Sequence, residues 1–277
     1  MKQHTKPGKL RVHVVGISPR SGTSLLHSLL LYSFDFDCVS KHEARFYELP
    51  RKRWNKLLSK YPCDLKHLLK NFPKKKDGNN FFLIMKRDPR DVVISKQTEV
   101  EDKFFISIPE FLKNLVELEP LVSAKNSMLI SYEDLLADPN AVQREISRAI
   151  PQLIKLRNFE DWGHSQNHLA ADNKVKALNG IRPIESNNSN NWMNLESYPE
   201  YFGSKSFYNS VKNLGYASDY EEWESFLASK SITSHEPSID NNRTFADLKV
   251  SFYWYLTRFG LYLKRDHLFE CVASHQN

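Results

Sequence analysis

The sequence predicts an α/β domain built on a central parallel β-sheet flanked by helices, with a C-terminal helical extension. Three observations carry that expectation. Residues 10–15 read as a strand whose apolar end, Val14-Val15, breaks at Gly16 into a small, basic, hydroxyl-rich turn that restarts as an amphipathic segment at Thr23. Residues 81–85, Phe-Phe-Leu-Ile-Met, form a continuous apolar run, preceded by a lysine-rich turn and followed by a basic one. Residues 127–131 repeat the pattern ahead of a helical stretch. Strands that alternate with helices pair in parallel through right-handed crossovers.

With 277 residues, 40% hydrophobic and 12% aromatic, the chain can bury a full core. Residues 1–230 read as one α/β domain and 231–277 as a linker and helical extension packed on it. In the first helix Leu25, Leu26, Leu29 and Leu30 recur at helical spacing and bury one face, while His27 is expected to face water. Residues 35–40 read as a short extended piece, 51–72 as a helix with a basic outer face, and 73–80 as a surface turn. Asp88-Pro89-Arg90-Asp91 then starts a helix, with Asp88 as N-cap, Pro89 at the first position and Asp91 at the third. Residues 139–150 read as another helix, 186–194 as an Asn-rich loop and 231–242 as a linker. The aromatic segment 245–263 reads as a helix that packs on the core or forms a homodimer face; contact with a membrane surface is the alternative.

A formal net charge of +6 suits an anionic ligand, and equally nucleic acid or an anionic membrane. Cys38, Cys63 and Cys271 lie far apart, with neither zinc-type spacing nor an even secretory framework, so free thiols in a reducing compartment are expected. Residues 1–10 are polar and basic, without the apolar core of a signal peptide, and no membrane span follows. A cytoplasmic protein is the expectation.

The chemistry starts at Gly16-Ile17-Ser18-Pro19-Arg20-Ser21-Gly22-Thr23-Ser24. Small residues let backbone amides converge on an anion in front of a helix N-terminus, and Ser21, Thr23 and Ser24 can add hydroxyl donors. A nucleoside-triphosphate loop needs Gly, four residues, then Gly-Lys-Ser/Thr. Here five residues separate Gly16 from Gly22, Thr23 stands in place of the Lys, and the loop's cation is Arg20. That favours a terminal anionic group held by Arg, amides and hydroxyls over a triphosphate with magnesium; an ordinary capped turn is the competing reading. Arg87 and Ser95 form a second candidate phosphate site at the next strand end, unless Arg87 merely pairs with Asp91. Ligands of open parallel sheets bind along this edge, and one ligand with two phosphate-like ends would satisfy both sites.

These residues resemble the sulfotransferases that use 3′-phosphoadenosine 5′-phosphosulfate, whose fold is like that of the P-loop NTPases. Pro19-Arg20-Ser21-Gly22-Thr23-Ser24 resembles the family's 5′-phosphosulfate loop, and residues 87–95 resemble its 3′-phosphate element, with Arg87 and Ser95 in the binding places. Ser131-Tyr132-Glu133-Asp134-Leu135 with Asp138-Pro139 is similar to a further signature. The resemblance covers about residues 11–192 and thins after Ile150. It implies a late loop over the adenosine, for which Arg182, Ser186 and Trp192 are the candidates. It also implies a base. Glu43-Ala44-Arg45 resembles the Glu-x-Arg of protein-tyrosine and carbohydrate sulfotransferases, which makes Glu43 the candidate; His42 is the rival, and pairing of Glu43 with Arg45 the non-catalytic alternative. Arg20 would stabilise charge on the leaving phosphate.

The expected activity is therefore transfer of a sulfuryl group to a hydroxyl of a small-molecule or glycan acceptor, with no metal required and no nucleic-acid partner. A P-loop kinase using ATP and magnesium, and a nucleotide-binding scaffold without a working base, are the rival readings.

Overall fold

The computed structural model describes residues 9–41, 43–65, 68, 79–96, 104–116, 118–164, 191–195, 197–217, 219–237, 263–264 and 266–271. Strand β1 (Leu10–Gly16) is buried along its whole length and leads into helix α1 (Thr23–Ser33). Then come β2 (Cys38–Ser40), β3 (Glu48–Leu49), β4 (Lys56–Lys60) and β5 (Asn80–Lys86). A short α2 (Pro89–Val93) follows β5; α3 (Ile108–Val116) and α4 (Glu119–Val122) precede β6 (Ser127–Ser131). Helices α5 (Tyr132–Ala137), α6 (Pro139–Ala149), α7 (Lys205–Asn213) and α8 (Tyr220–Ser229) come next, and β7 (Leu263–Lys264) and β8 (Phe269–Cys271) end the described chain.

The main sheet runs β6-β5-β1-β4-β2-β8, parallel throughout except for β8, which is antiparallel to β2. This is the predicted α/β architecture. From β1 the chain crosses to the β4 side and later returns to pair β5 on the other side, so the order reverses at β1. That reversal opens a crevice at the carboxyl ends of β1 and β5, where such sheets bind ligands.

The pleat explains the two cores. Phe82 and Ile84 face a layer with Phe46, Phe111, Phe202 and Trp223, whereas Leu83 and Met85 face a layer with Leu26, Leu29, Leu30, Leu135 and Ile146. The unbroken apolar run of residues 81–85 suits a strand buried on both faces.

Several local expectations are corrected. Residues 51–72 contain strand β4 rather than one continuous helix: its apolar Leu57-Leu58 centre is too short for a helical face and pairs with β1 and β2. His27 is buried, 3.4 Å from Ser40 through Nε2, instead of facing water. Cys38 and Cys271 are not free thiols but form a disulfide between β2 and β8, which removes the cysteine part of the case for a reducing compartment. Cys63 is exposed. The start of the expected linker is tied down, because Glu236 accepts the backbone N–H of Lys205 at 2.7 Å and Ser234 donates to Gly203 O at 2.9 Å. Leu263, expected to close the aromatic helix, lies in β7 paired with β3; residues 245–262 and 186–190 lie outside the described residues. Among the described residues no helix is long and apolar enough to cross a membrane.

Candidate active site

The loop after β1 is wound tightly on itself. Ser21 Oγ donates to the carbonyl of Ser18 at 2.9 Å and lies 3.4 Å from the Ser18 amide, so this buried hydroxyl braces the loop from within. Arg20 sits at φ 69°, in the left-handed region, and Gly22 at φ 90°. At Gly22 only glycine fits: a Cβ would lie 2.4 Å from Cδ2 of Tyr132. At Gly16 it would lie 2.4 Å from the Ser18 carbonyl oxygen. Asn114 of α3 donates to the Ile17 carbonyl at 3.0 Å and fastens the loop's entry.

Helix α1 begins without a side-chain cap and without an acidic residue in its first turn. By contrast α2, α5, α6, α7 and α8 are capped by Asp88, Ser131, Asp138, Ser204 and Asp219. An uncapped start, which α4 shares, leaves first-turn amides able to meet an anion, and the helix dipole favours one there. Ser24 adds a hydroxyl: its Oγ accepts a hydrogen bond from Lys60 Nζ at 2.9 Å, which leaves its own proton to donate.

Two guanidinium groups converge on the crevice. Arg87, just past β5, donates from Nη1 to the carbonyl of Arg20 at 3.2 Å and lies over the Tyr132 ring at 4.7 Å. Its Nη2 is 3.7 Å from Asp91, so the alternative pairing is real but does not turn Arg87 away from the loop. Arg20 lies over the Phe105 ring at 5.0 Å. Burial, followed by the charge of Arg87, holds the Arg20 guanidinium below the usual arginine value. An anion between them would relieve that repulsion.

The predicted cap of α2 is present. Asp88 accepts the Arg90 amide at 2.9 Å and Pro89 takes the first position. Arg90 is occupied with the carboxylate of Asp88 and with Tyr216 O at 2.8 Å. Helix α2 ends at Val93, so Ser95 lies beyond it, and its Oγ donates to Asp91 O at 2.9 Å. Trp192 is buried, with Arg90 over its ring at 4.1 Å and Trp223 and Phe226 beside it. Arg182, Ser186 and His42 lie outside the described residues.

Glu43 is half exposed and stands 3.8 Å from Lys60 Nζ, while Arg45 instead donates to Tyr61 Oη at 3.1 Å. The expected alternative pairing of Glu43 with Arg45 is therefore replaced by two separate pairs. Lys60 escaped sequence reading because it ends a strand mistaken for helix. Val14↔Lys60 pairing brings it beside the loop, where it bridges Ser24 and Glu43. Burial lowers the affinity of Lys60 for its proton and Glu43 opposes this.

The third signature also gains a physical meaning. Glu133 accepts the Asp88 amide at 2.9 Å, Ser131 Oγ at 2.9 Å and Tyr216 Oη at 2.6 Å. Burial, then these bonds to Glu133, pushes the Tyr216 phenol far above its usual value. Tyr132 supports Arg87 and closes against Gly22, so one tripeptide joins the ends of β5, β6 and α1.

The fold matches the sulfotransferase domain of the Synechococcus PCC 7002 olefin synthase at a TM-score of 0.52, 14% identity, over 78% of this chain and 98% of that one. The fold is that of the sulfotransferases. The sulfotransferase domain from the curacin biosynthetic pathway superposes with a TM-score of 0.50 at 12% identity, over 77% of this chain and 99% of that one. No protein-family model matches the sequence, and no curated protein sequence does either. In the sulfotransferase fold of this chain, the loop, Arg87, Lys60 and Glu43 all lie at the same edge of the sheet.

Proposed function

We propose that this chain transfers a sulfuryl group from 3′-phosphoadenosine 5′-phosphosulfate to a hydroxyl of a saccharide or glycoconjugate. The observation that carries the reading is the Arg20–Arg87 pair, joined through the Arg20 carbonyl at the ends of adjacent strands β1 and β5. One donor with phosphates at both ends of its ribose fits that pair, and the glycine-framed, uncapped start of α1 fits the phosphosulfate end. The absence of a loop lysine disfavours ATP.

In the proposed reaction the acceptor oxygen attacks sulfur while the bond from sulfur to the bridging phosphate oxygen breaks. The acceptor proton passes to the Glu43 carboxylate, and the electron pair leaves on 3′-phosphoadenosine 5′-phosphate. Arg20 and the amides of the loop meet the charge that grows on that leaving phosphate. Lys60, between Ser24 and Glu43, keeps base and donor loop in register. Arg87 holds the 3′-phosphate end, with Ser95, Arg182, Ser186 and Trp192 as further donor-side candidates.

The test is incubation with sulfur-labelled donor and a glycan panel, read by mass spectrometry, beside thermal shifts with 3′-phosphoadenosine 5′-phosphate, ADP and ATP. A larger shift with the 3′-phosphorylated nucleotide and a sulfate-sized mass gain are expected. Equal shifts with all three would remove the donor assignment, and donor binding without transfer to any acceptor would favour a scaffold.

A further inference from the structure

Beneath the segment that carries Glu43 and Arg45 lies a network that the proposed reaction does not use. Arg11 and His13 of β1, Ser59 of β4 and Asp64 are all buried, at 0–2% exposure. Ser59, His13 and Asp64 stand in the order of a catalytic triad, yet no substrate can reach a serine with no exposed surface. Their contacts lead elsewhere. Asp64 Oδ2 accepts the Phe46 amide at 2.6 Å, and Arg11 donates to the carbonyls of Phe46, Arg45 and Glu48, the latter two at 3.4 and 3.3 Å.

The donor inventory fixes where the protons are. Arg11 can only donate, and its Nε and Nη2 both point to Ser59 Oγ at 3.1 Å, so that oxygen accepts twice. Its single proton then goes to His13 Nδ1, 2.9 Å away. His13 therefore carries its own proton on Nε2, which makes a bent contact with Asp64 Oδ2 at 3.2 Å. A second proton on Nδ1 would face the proton of a serine whose oxygen is already engaged by a cation. The groups facing His13 are Arg11 on its own strand, Ser59 on β4, Asp64 beyond it, and the rings of Phe46 and Phe82. Arg45, whose backbone the network holds, feels the Asp64 charge as well.

We infer that the Arg11–Ser59–His13–Asp64 network is an acid-sensitive brace that positions the acceptor-side segment 43–48, with His13 and Asp64 as positioning residues. Protonation of His13 breaks its bond from Ser59 and forces Ser59 or the ring to turn. Asp64 then moves with the ring, and the Phe46 amide loses its acceptor. Burial of His13, with Arg11 nearby, opposes that protonation and holds it below the ordinary histidine value. The link to catalysis rests on the function proposed above; the brace itself does not.

Hydrogen exchange separates the two. Peptides covering residues 43–49 are followed by mass spectrometry at about pH 7.5 and about pH 5, corrected for intrinsic rates. Loss of a hydrogen bond to a charged acceptor lowers the protection of this segment about tenfold or more in acid, while peptides of β5 hold theirs. In His13→Gln the acid-induced loss disappears, and in Asp64→Asn protection is already low at the higher pH. Unchanged wild-type protection, or an equal acid loss in His13→Gln, overturns the brace; if His13→Gln fails to fold by circular dichroism, the wild-type comparison decides alone. Thermal shifts with 3′-phosphoadenosine 5′-phosphate, run alongside at both pH values, report on the donor site independently, so their failure would sink the functional reading and leave the exchange result intact.

Discussion

Arg87 reaches from the end of β5 and donates from Nη1 to the carbonyl oxygen of Arg20, 3.2 Å away. The bond makes one cation the support of another, because it helps hold Arg20 in its left-handed backbone conformation. Arg87→Ala therefore removes the proposed 3′-phosphate ligand and loosens the loop together. A lost charge-assisted hydrogen bond is worth about 1.5–3 kcal/mol, so affinity for 3′-phosphoadenosine 5′-phosphate should fall about ten- to hundredfold by calorimetry. Arg87→Lys, which keeps the charge but loses the planar fork, should recover only part of it.

Gly22→Ala places a methyl group into Tyr132 at a backbone angle that side chains disfavour. The expected cost is about 1–3 kcal/mol of stability in urea unfolding, with donor binding lost beyond that as the loop shifts. Wild-type stability in this variant would show that Tyr132 does not press on the loop.

Glu43→Gln keeps the size of the side chain and removes the proposed base. Turnover should drop about 10²- to 10⁴-fold with donor affinity unchanged, since the proposed role of Glu43 is to take the acceptor proton. A fall in donor affinity equal to the fall in rate would mean that Glu43 acts through Lys60 and Ser24 instead.

Glu133→Ala leaves the Asp88 amide, the Ser131 hydroxyl and the Tyr216 phenol without their shared acceptor. A destabilisation of about 2–4 kcal/mol is expected by denaturant titration. Glu133→Gln should recover part of this, because one amide oxygen can still accept.

The stability of the wild type should decline in acid because of His13. Burial holds the folded-state value below the ordinary 6.5. From 6.5 down to that lowered value the unfolded chain binds a proton that the folded chain does not, so stability falls as pH drops, by up to about 1.4 kcal/mol per pH unit. Above 6.5 the contribution is constant. In His13→Gln this part of the slope should vanish from urea midpoints measured across the window.

The fold and the loop were legible where local chemistry decides structure. Asp88 and Pro89 announced the start of α2, the apolar run at 81–85 announced a strand buried on two faces, and Gly16 and Gly22 framed the turn. Lys60 and His27 were not legible, because a lysine ending a short strand and a histidine on a helix acquire their surroundings only from β-pairing. Ser21 illustrates a finer limit. Its hydroxyl was expected to serve a ligand, and the loop's own curvature turns it inward. Nothing in the order of Arg11, His13, Ser59 and Asp64 announced that they meet, since their proximity is a product of the β1–β4 register.

The Cys38–Cys271 bond fastens the outermost strand of the sheet and joins positions separated by 233 along the chain. In the chain-entropy view a closure of that span limits the unfolded ensemble by on the order of 5 kcal/mol. The bond cannot form until Cys271 has been synthesised, after the other five strands of the sheet, so that edge is the last one the sheet acquires. The loop after β1, three strands away, can be in place before that clasp closes.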